Sequence, residues 1–176
     1  MDFPTETLPA SQEARTRVSA LYQAHALALV KLAVLMTGDQ PTAEDVVQDA
    51  FLGLYRHWQA LRDADKAVGY LRSSVLNGCR SVHRVRYRRQ GIVVDPPEPA
   101  GSAEAEAMLG EAHREVLAAL RRLPHRQREA VVLRYYLDMT EEQTARAMGV
   151  ARGTVKSATS RGLSALARLL KEGDVR

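Results

Sequence analysis

Pro96, Pro97 and Pro99 fall between Gly91 and Gly101, with Asp95 and Glu98 among them. Three prolines so close together exclude regular helix and favour an extended chain. At roughly 3.1 Å per residue such a stretch reaches on the order of 30 Å. A chain of 176 residues forms one domain of ordinary size or two small ones. The prolines favour two, with a linker over 91–103 between blocks at 12–90 and 104–173. Ala and Leu dominate the apolar residues, aromatic residues make up 5%, and no strand-like alternation occurs. The expected fold class is therefore all-α.

In the first block, Val18, Leu21, Tyr22, Ala26, Leu29, Ala33 and Met36 recur at three- and four-residue steps, which predicts a helix from about Glu13 that Gly38 ends. Thr42 and Asp45 resemble a capping box for the next helix. Its apolar face is Val46, Val47, Ala50, Phe51, Leu54, Tyr55 and Trp58. The opposite face carries Asp45, Gln48, Asp49, Leu52 and Arg56. Gln59 to Lys66 reads as a polar loop. A third helix from about Ala67 to Arg89 buries Val68, Leu71, Val75, Leu76 and Cys79, then turns basic with Arg80, Arg84, Arg86, Arg88 and Arg89.

The second block holds four helical pieces. Pro124 breaks the first, Glu104 to Leu123, whose stripe includes Val116 and Leu120. His125 to Leu137 buries Val131, Val132 and Tyr135. Thr140 and Gln143 form a capping box opening a short helix that ends at Gly149, the left-handed turn residue. The last helix runs from about Arg152 to Lys171, with Val155 packing inward. Small Ala145, turning Gly149 and plugging Val150 are the spacing of a helix-turn-helix, whose second helix enters the DNA major groove. A hairpin of helices that binds nothing has the same spacing, but hydroxyl and basic groups crowd the outer face of the second helix.

Leu120-Arg-Arg-Leu-Pro-His-Arg-Gln-Arg-Glu-Ala-Val-Val-Leu-Arg-Tyr-Tyr-Leu, with Gly153-Thr-Val-Lys-Ser further on, resembles region 4 of the extracytoplasmic-function sigma factors. Independently, Ala43-Glu-Asp-Val-Val-Gln-Asp-Ala-Phe-Leu resembles the polymerase-binding helix of their region 2. Tyr70-Leu-Arg, Val75-Leu-Asn77 and the arginine run resemble the promoter-melting helix. The ending Lys156-Ser-Ala-Thr-Ser-Arg-Gly-Leu is closest to an actinobacterial subgroup. Ala151 stands where the family often has a capping Ser, a loss of about 1 kcal/mol of helix stability.

The resemblance implies a subunit that binds core RNA polymerase and directs it to promoters. It assigns polymerase binding to Asp45, Gln48, Asp49, Leu52 and Arg56, where the bland alternative is a solvated helix face. It assigns −10 DNA contact to Arg62, Asp63, Asn77, Arg80, His83, Arg84, Arg86 and Arg88, where the alternatives are a plain polar loop and a solubilising charged tail. It assigns −35 contact to Arg152, Thr154, Val155, Lys156, Ser157, Ser160 and Arg161. The acidic linker matches in position a segment that family members thread into the polymerase, though an inert tether has the same composition.

The net charge of +4 permits an anionic partner without requiring one. Only four of 25 basic residues are lysine; arginine gives forked contacts to phosphate and guanine, but a GC-rich genome leaves the same bias. The five histidines are scattered, and no phosphate loop, nucleophile elbow or metal-ligand cluster occurs. No enzyme activity, cofactor or metal is therefore expected. The single Cys79 fits a reduced cytoplasm, the start lacks a signal-peptide pattern, and Leu27 to Met36 is too short to cross a bilayer. An anti-sigma partner is common in the family. The alternative is a helix-turn-helix regulator that binds operator DNA on its own.

Overall fold

A computed structural model describes residues 8–61, 63–89 and 111–173, and every regular element among them is helical. The first block contributes α1 (Leu8–Thr37), α2 (Gln40–Arg56), a 3-10 turn (Trp58–Ala60) and α3 (Ala64–Arg89). The second contributes α4 (Glu111–Arg122), α5 (His125–Tyr135), α6 (Glu141–Met148) and α7 (Arg152–Gly173). The expected linker at 91–103 lies outside the described residues.

Local chemistry explains most boundaries. Gly38 closes α1 with φ +87°, and its N–H donates to Val34 O at 2.9 Å. The start of α2 differs from the Thr42–Asp45 expectation. Asp39 is the cap, accepting from Thr42 N at 2.9 Å, with Pro41 in the first turn. Proline lacks the N–H that this turn leaves unpaired, so the helix begins before it. The polar loop is also shorter than expected. Trp58 is buried within the 3-10 turn, and the Asp63 carboxylate accepts from Lys66 N at 3.3 Å, capping α3. In the second block Asp138 takes φ 50°, and Met139 N returns to Leu133 O at 3.1 Å, reversing the chain into α6.

The apolar stripes meet as a three-helix core. Leu32 and Ala33 of α1, Val47 and Leu54 of α2, and Leu71, Val75 and Cys79 of α3 are all buried. The apolar run of α1 extends well beyond Leu27 to Met36. Gln12–Thr37 has the length and composition to cross a bilayer, yet Leu29, Leu32, Ala33 and Met36 are committed to this core. Four stripe residues depart from expectation: Tyr22, Tyr55, Val116 and Tyr135 are exposed, Tyr135 by 60%. Tyr22 instead sets its ring edge against Phe51, with centroids 4.9 Å apart.

The principal core does not stop at the linker. Val132 and Leu133 of α5 belong to the same buried cluster as α1 to α3. A smaller cluster of Leu120, Leu123 and Val131 packs on Leu166 and Leu169 of α7 and also reaches Leu35 of α1. Removing a fully buried leucine loses its transfer energy and leaves a cavity. Leu54→Ala is therefore expected to cost about 2–5 kcal/mol, measured as a lower urea midpoint with unchanged slope.

Candidate nucleic-acid interface

The helix-turn-helix forms as its sequence specifies. Thr140 Oγ1 accepts from Gln143 N at 3.2 Å while Gln143 Oε1 accepts from Thr140 N at 2.8 Å. Gly149 takes φ +64°, and Val150 N donates back to Ala145 O at 3.0 Å. Ala145 and Val155 are buried between the helices. A second glycine matters here: a Cβ on Gly162 of α7 would lie 2.8 Å from Val131 Cγ2 and 3.2 Å from Gln127 O. Its absence lets α7 lie directly on α5.

This packing leaves Arg152, Thr154, Lys156, Ser160 and Arg161 exposed. Val155 is a correction to the expected contact set. Its side chain is 0% exposed and supports the helix from inside, so it cannot reach a base. Ser157 is half-buried and donates to Thr154 O at 3.0 Å. Ala151 provides no side-chain cap, and its carbonyl accepts from Thr154 N at 2.9 Å and Val155 N at 3.2 Å.

On α2, Asp45, Gln48, Asp49, Leu52 and Arg56 share one exposed face. Leu52 is 47% exposed there, with the exposed ring of Tyr55 nearby in sequence. An apolar centre with a charged rim is the make-up of a protein interface. Behind this face a groove of about 560 Å³ runs between α2 and α3, lined by Thr42, Val46, Asp49, Tyr70, Gly78 and Arg86 among others.

The basic helix α3 is the part least like its sequence reading. Arg84 and Arg88 are exposed, and Asn77, Arg80, His83 and Arg84 line one hollow as their spacing predicts. Arg86, however, turns into the protein. It donates to Thr37 O at 2.9 Å and Thr42 Oγ1 at 3.1 Å, and pairs with Asp39 at 2.5 Å. It ties the α1–α2 junction to α3 and is not presented to DNA. His83 stacks on His125, centroids 4.0 Å apart. Arg62 lies outside the described residues. Asp63 is exposed as the cap of α3.

Arg80 has an unexpected set of partners. Its Nε donates to Glu129 Oε1 at 2.6 Å, one Nη to Asn77 Oδ1 at 2.9 Å, and the other to Ala147 O at 2.5 Å. Glu129 is 4% exposed. In the other direction, Arg128 of α5 donates to Met36 O at 3.0 Å, and to Arg121 O and Leu123 O at 2.8 and 3.2 Å. Burial and the neighbouring Arg121 and Arg86 bring its pKa down to about 10, so it remains a cation near neutrality. The sequence reading gave Glu129, His125 and Arg128 no functional role of their own. The available signal was Glu129 itself, three and four residues before Val132 and Leu133, which puts an acid on a buried stripe.

Residues 21–90 match the family model for sigma-70 region 2, and residues 113–166 match that for sigma-70, region 4. The chain belongs to the sigma-70 family of RNA polymerase sigma factors. It is 35% identical over 146 residues to an RNA polymerase sigma-E factor of Streptomyces coelicolor, covering 82% of this chain and 79% of that one. It is 33% identical over 150 residues to the extracytoplasmic-function sigma factor SigM of Mycobacterium tuberculosis, covering 85% and 75%. Among solved structures, the sigma factor RpoE of Bartonella quintana, in complex with the anti-sigma factor NepR, superimposes with a TM-score of 0.66. It has 26% identity, and the match covers 87% of this chain and 96% of that one. CnrH, in complex with the cytosolic domain of CnrY, shares the fold at a TM-score of 0.60 and 21% identity, covering 92% and 95%.

The chain is thus an extracytoplasmic-function sigma factor of the kind found in actinobacteria. It binds RNA polymerase and directs promoter-specific transcription. A free-standing operator-binding regulator is not favoured, because region 2 is present beside the helix-turn-helix.

Two consequences are measurable. Gly149→Ala forces a side chain into the left-handed region and is expected to destabilise the sigma factor by about 1–2 kcal/mol, read as a fall in Tm. The Asp39 carboxyl is pushed up by burial, but hydrogen bonds from Thr42 and Arg86 outweigh this and leave its pKa below the ordinary value. A depressed carboxylate contributes stability above its unfolded pKa of about 3.9, lost as pH falls through the folded value. Asp39→Asn keeps the cap but loses the ion pair. It is expected to lower Tm at pH 7 by the equivalent of about 1 kcal/mol or less, a difference that shrinks as pH falls below about 4.

Proposed function

We propose that the two helical blocks act as separate readers of one promoter, with the boundaries 12–90, 91–103 and 104–173. The observation that carries this reading is the pair of basic surfaces on opposite sides of the linker: α7 at the helix-turn-helix and the C-terminal half of α3. On α7, Arg152, Thr154, Lys156, Ser160 and Arg161 read the −35 element from the major groove, with Ser157 at the edge of the contact. On α3, Asn77, Arg80, Arg84 and Arg88 hold the −10 element and help part its strands, with His83 beside them. Each duplex phosphate neutralised adds about 0.9 to the salt slope.

The exposed face of α2 docks on the polymerase, with Leu52 as anchor and Asp45, Gln48, Asp49 and Arg56 around it. The loop carrying Arg62 and Asp63 receives an unstacked base of the −10 strand. The chain acts in the cytoplasm and carries no catalysis of its own; the polymerase makes the RNA. An anti-sigma protein is a further partner, as NepR is of the Bartonella sigma factor.

Run-off transcription with core polymerase on genomic promoter fragments tests the assignment. A discrete start site is expected only when this sigma factor is present. Lys156→Glu should reduce the product at least tenfold through −35 binding. Asp49→Arg should reduce it similarly, with loss of co-purification with polymerase. Full activity in either variant would remove that contact from the reading.

A further inference from the structure

The basic end of α3 carries a single aromatic residue, Tyr87, among Arg84, Arg86, Arg88 and Arg89. Its side chain is a large apolar body that folding gains by covering, yet Tyr87 is 73% exposed. Asn77, Arg80, Arg84 and Tyr87 follow one another at steps of three, four and three, which sets them along one face of the helix. Arg84 and Arg88, beside the ring in sequence, are exposed as well. From Ala67 to Arg89 the helix has no acidic residue.

His83, one turn before Tyr87, backs the ring. The two ring planes lie at 17° to each other with centroids 6.5 Å apart. His83 also lies at 17° to His125, there with centroids 4.0 Å apart. The closer approach partly covers His83 against α5, and the wider one leaves Tyr87 bare. Burial, then Arg128 and Arg86, lower the pKa of His83, so near neutrality the ring behind Tyr87 is uncharged. Two rings four residues apart steady a helix only slightly, and that role does not require the outer ring to stand in water.

A bare aromatic ring among guanidinium groups matches the chemistry of single-stranded nucleic acid, whose bases stack on the ring while its phosphates meet the cations. Inside a duplex both faces of a base are taken by its neighbours, so such a ring selects an unpaired base. We propose that Tyr87 is a stacking platform for one unpaired base at the upstream edge of the opened −10 element, with Arg84 and Arg88 on the adjoining phosphates. The proposal rests on the assignment of α3 to the −10 element. The chain leaves α3 toward the block that reads the −35 element, so the C-terminal end of the helix faces upstream. About 36 Å of helix, at roughly 1.5 Å per residue, separate Tyr87 from Asp63. The base on Tyr87 is therefore not the one received by the loop of Arg62 and Asp63.

Fork-shaped promoter probes test this with holoenzyme assembled from core polymerase and the full-length chain. Their sequence is that of the fragment with the discrete start site, the non-template −10 strand is unpaired, and each position in turn lacks its base. With the native chain, one position at the upstream edge is expected to lose about fivefold or more in affinity when its base is removed. Exchanging that base for another should change little, since every base has a face to stack. Tyr87→Ala should lose the same factor on the intact probe and nothing further on the probe that lacks this base. Tyr87→Phe, which keeps the ring, should bind as the native chain does. Tm and assembly with core polymerase should be unchanged in both variants.

The platform is refuted if Tyr87→Ala binds the intact probe normally, or if its loss is as large on the probe without the base. It is refuted equally if Tyr87→Phe fails alongside Tyr87→Ala, which would assign the contact to the hydroxyl, or if Tyr87→Ala weakens assembly with the polymerase, which would assign the ring to a protein contact. Arg84→Gln reads the −10 assignment separately, since loss of a phosphate contact should weaken binding to every probe by a similar factor. Unchanged binding there overturns the assignment and the platform with it. Loss there beside an indifferent Tyr87→Ala overturns the platform alone.

Discussion

Two arginines exchanged between the halves hold this molecule in its observed shape. Arg80 crosses from α3 to the last turn of α6, and Arg128 crosses from α5 to the last turn of α1. Each puts a cation against main-chain carbonyls that a helix cannot satisfy within itself, where the helix dipole is negative. Glu129 compensates the first charge, while the carbonyls of Arg121 and Leu123 surround the second. Val132 and Leu133 enter the core of the first block beside these anchors. An apolar contact alone would tolerate sliding; two directional cation contacts of opposite sense fix how the halves face each other.

The arginines of α3 show how one basic run divides into unlike tasks. Arg86 braces the α1–α2 junction, Arg80 joins the two halves, and Arg84 and Arg88 face outward. All four are equivalent in composition. Their differences come from helical phase and from what lies beyond the helix, Asp39 in one direction and Glu129 in the other. The two acids lie 47 residues before Arg86 and 49 after Arg80.

That division marks the limit of what the sequence could reveal. The all-α class, the capping box at Thr140, the left-handed turn at Gly149 and the inward Val155 depend on neighbours a few residues apart, and pattern alone exposes them. The α2 face was legible for the same reason. Asp39 was passed over as a cap because Thr42 and Asp45 offered a similar signal three residues later; Pro41 in the first turn decides between them. The partners of Arg80, Arg86 and Arg128 are brought together by tertiary packing, and no local periodicity encodes a contact across an interface. Tyr135 was misjudged likewise: α5 buries Val132 and Leu133 toward α1, and that rotation turns Tyr135 outward.

Because both sides of the contact belong to one chain, joined through residues 90–110, each half sees the other at an effective concentration set by the tether and not by the amount of protein in the cell. Dilution therefore cannot separate them, and synthesis of more sigma factor cannot drive them together. Doubling the tether would change the closure entropy by only about 0.6 kcal/mol. Tether length can accordingly drift in evolution with little effect on how firmly the halves meet, whereas a single change at Glu129 reaches that contact directly.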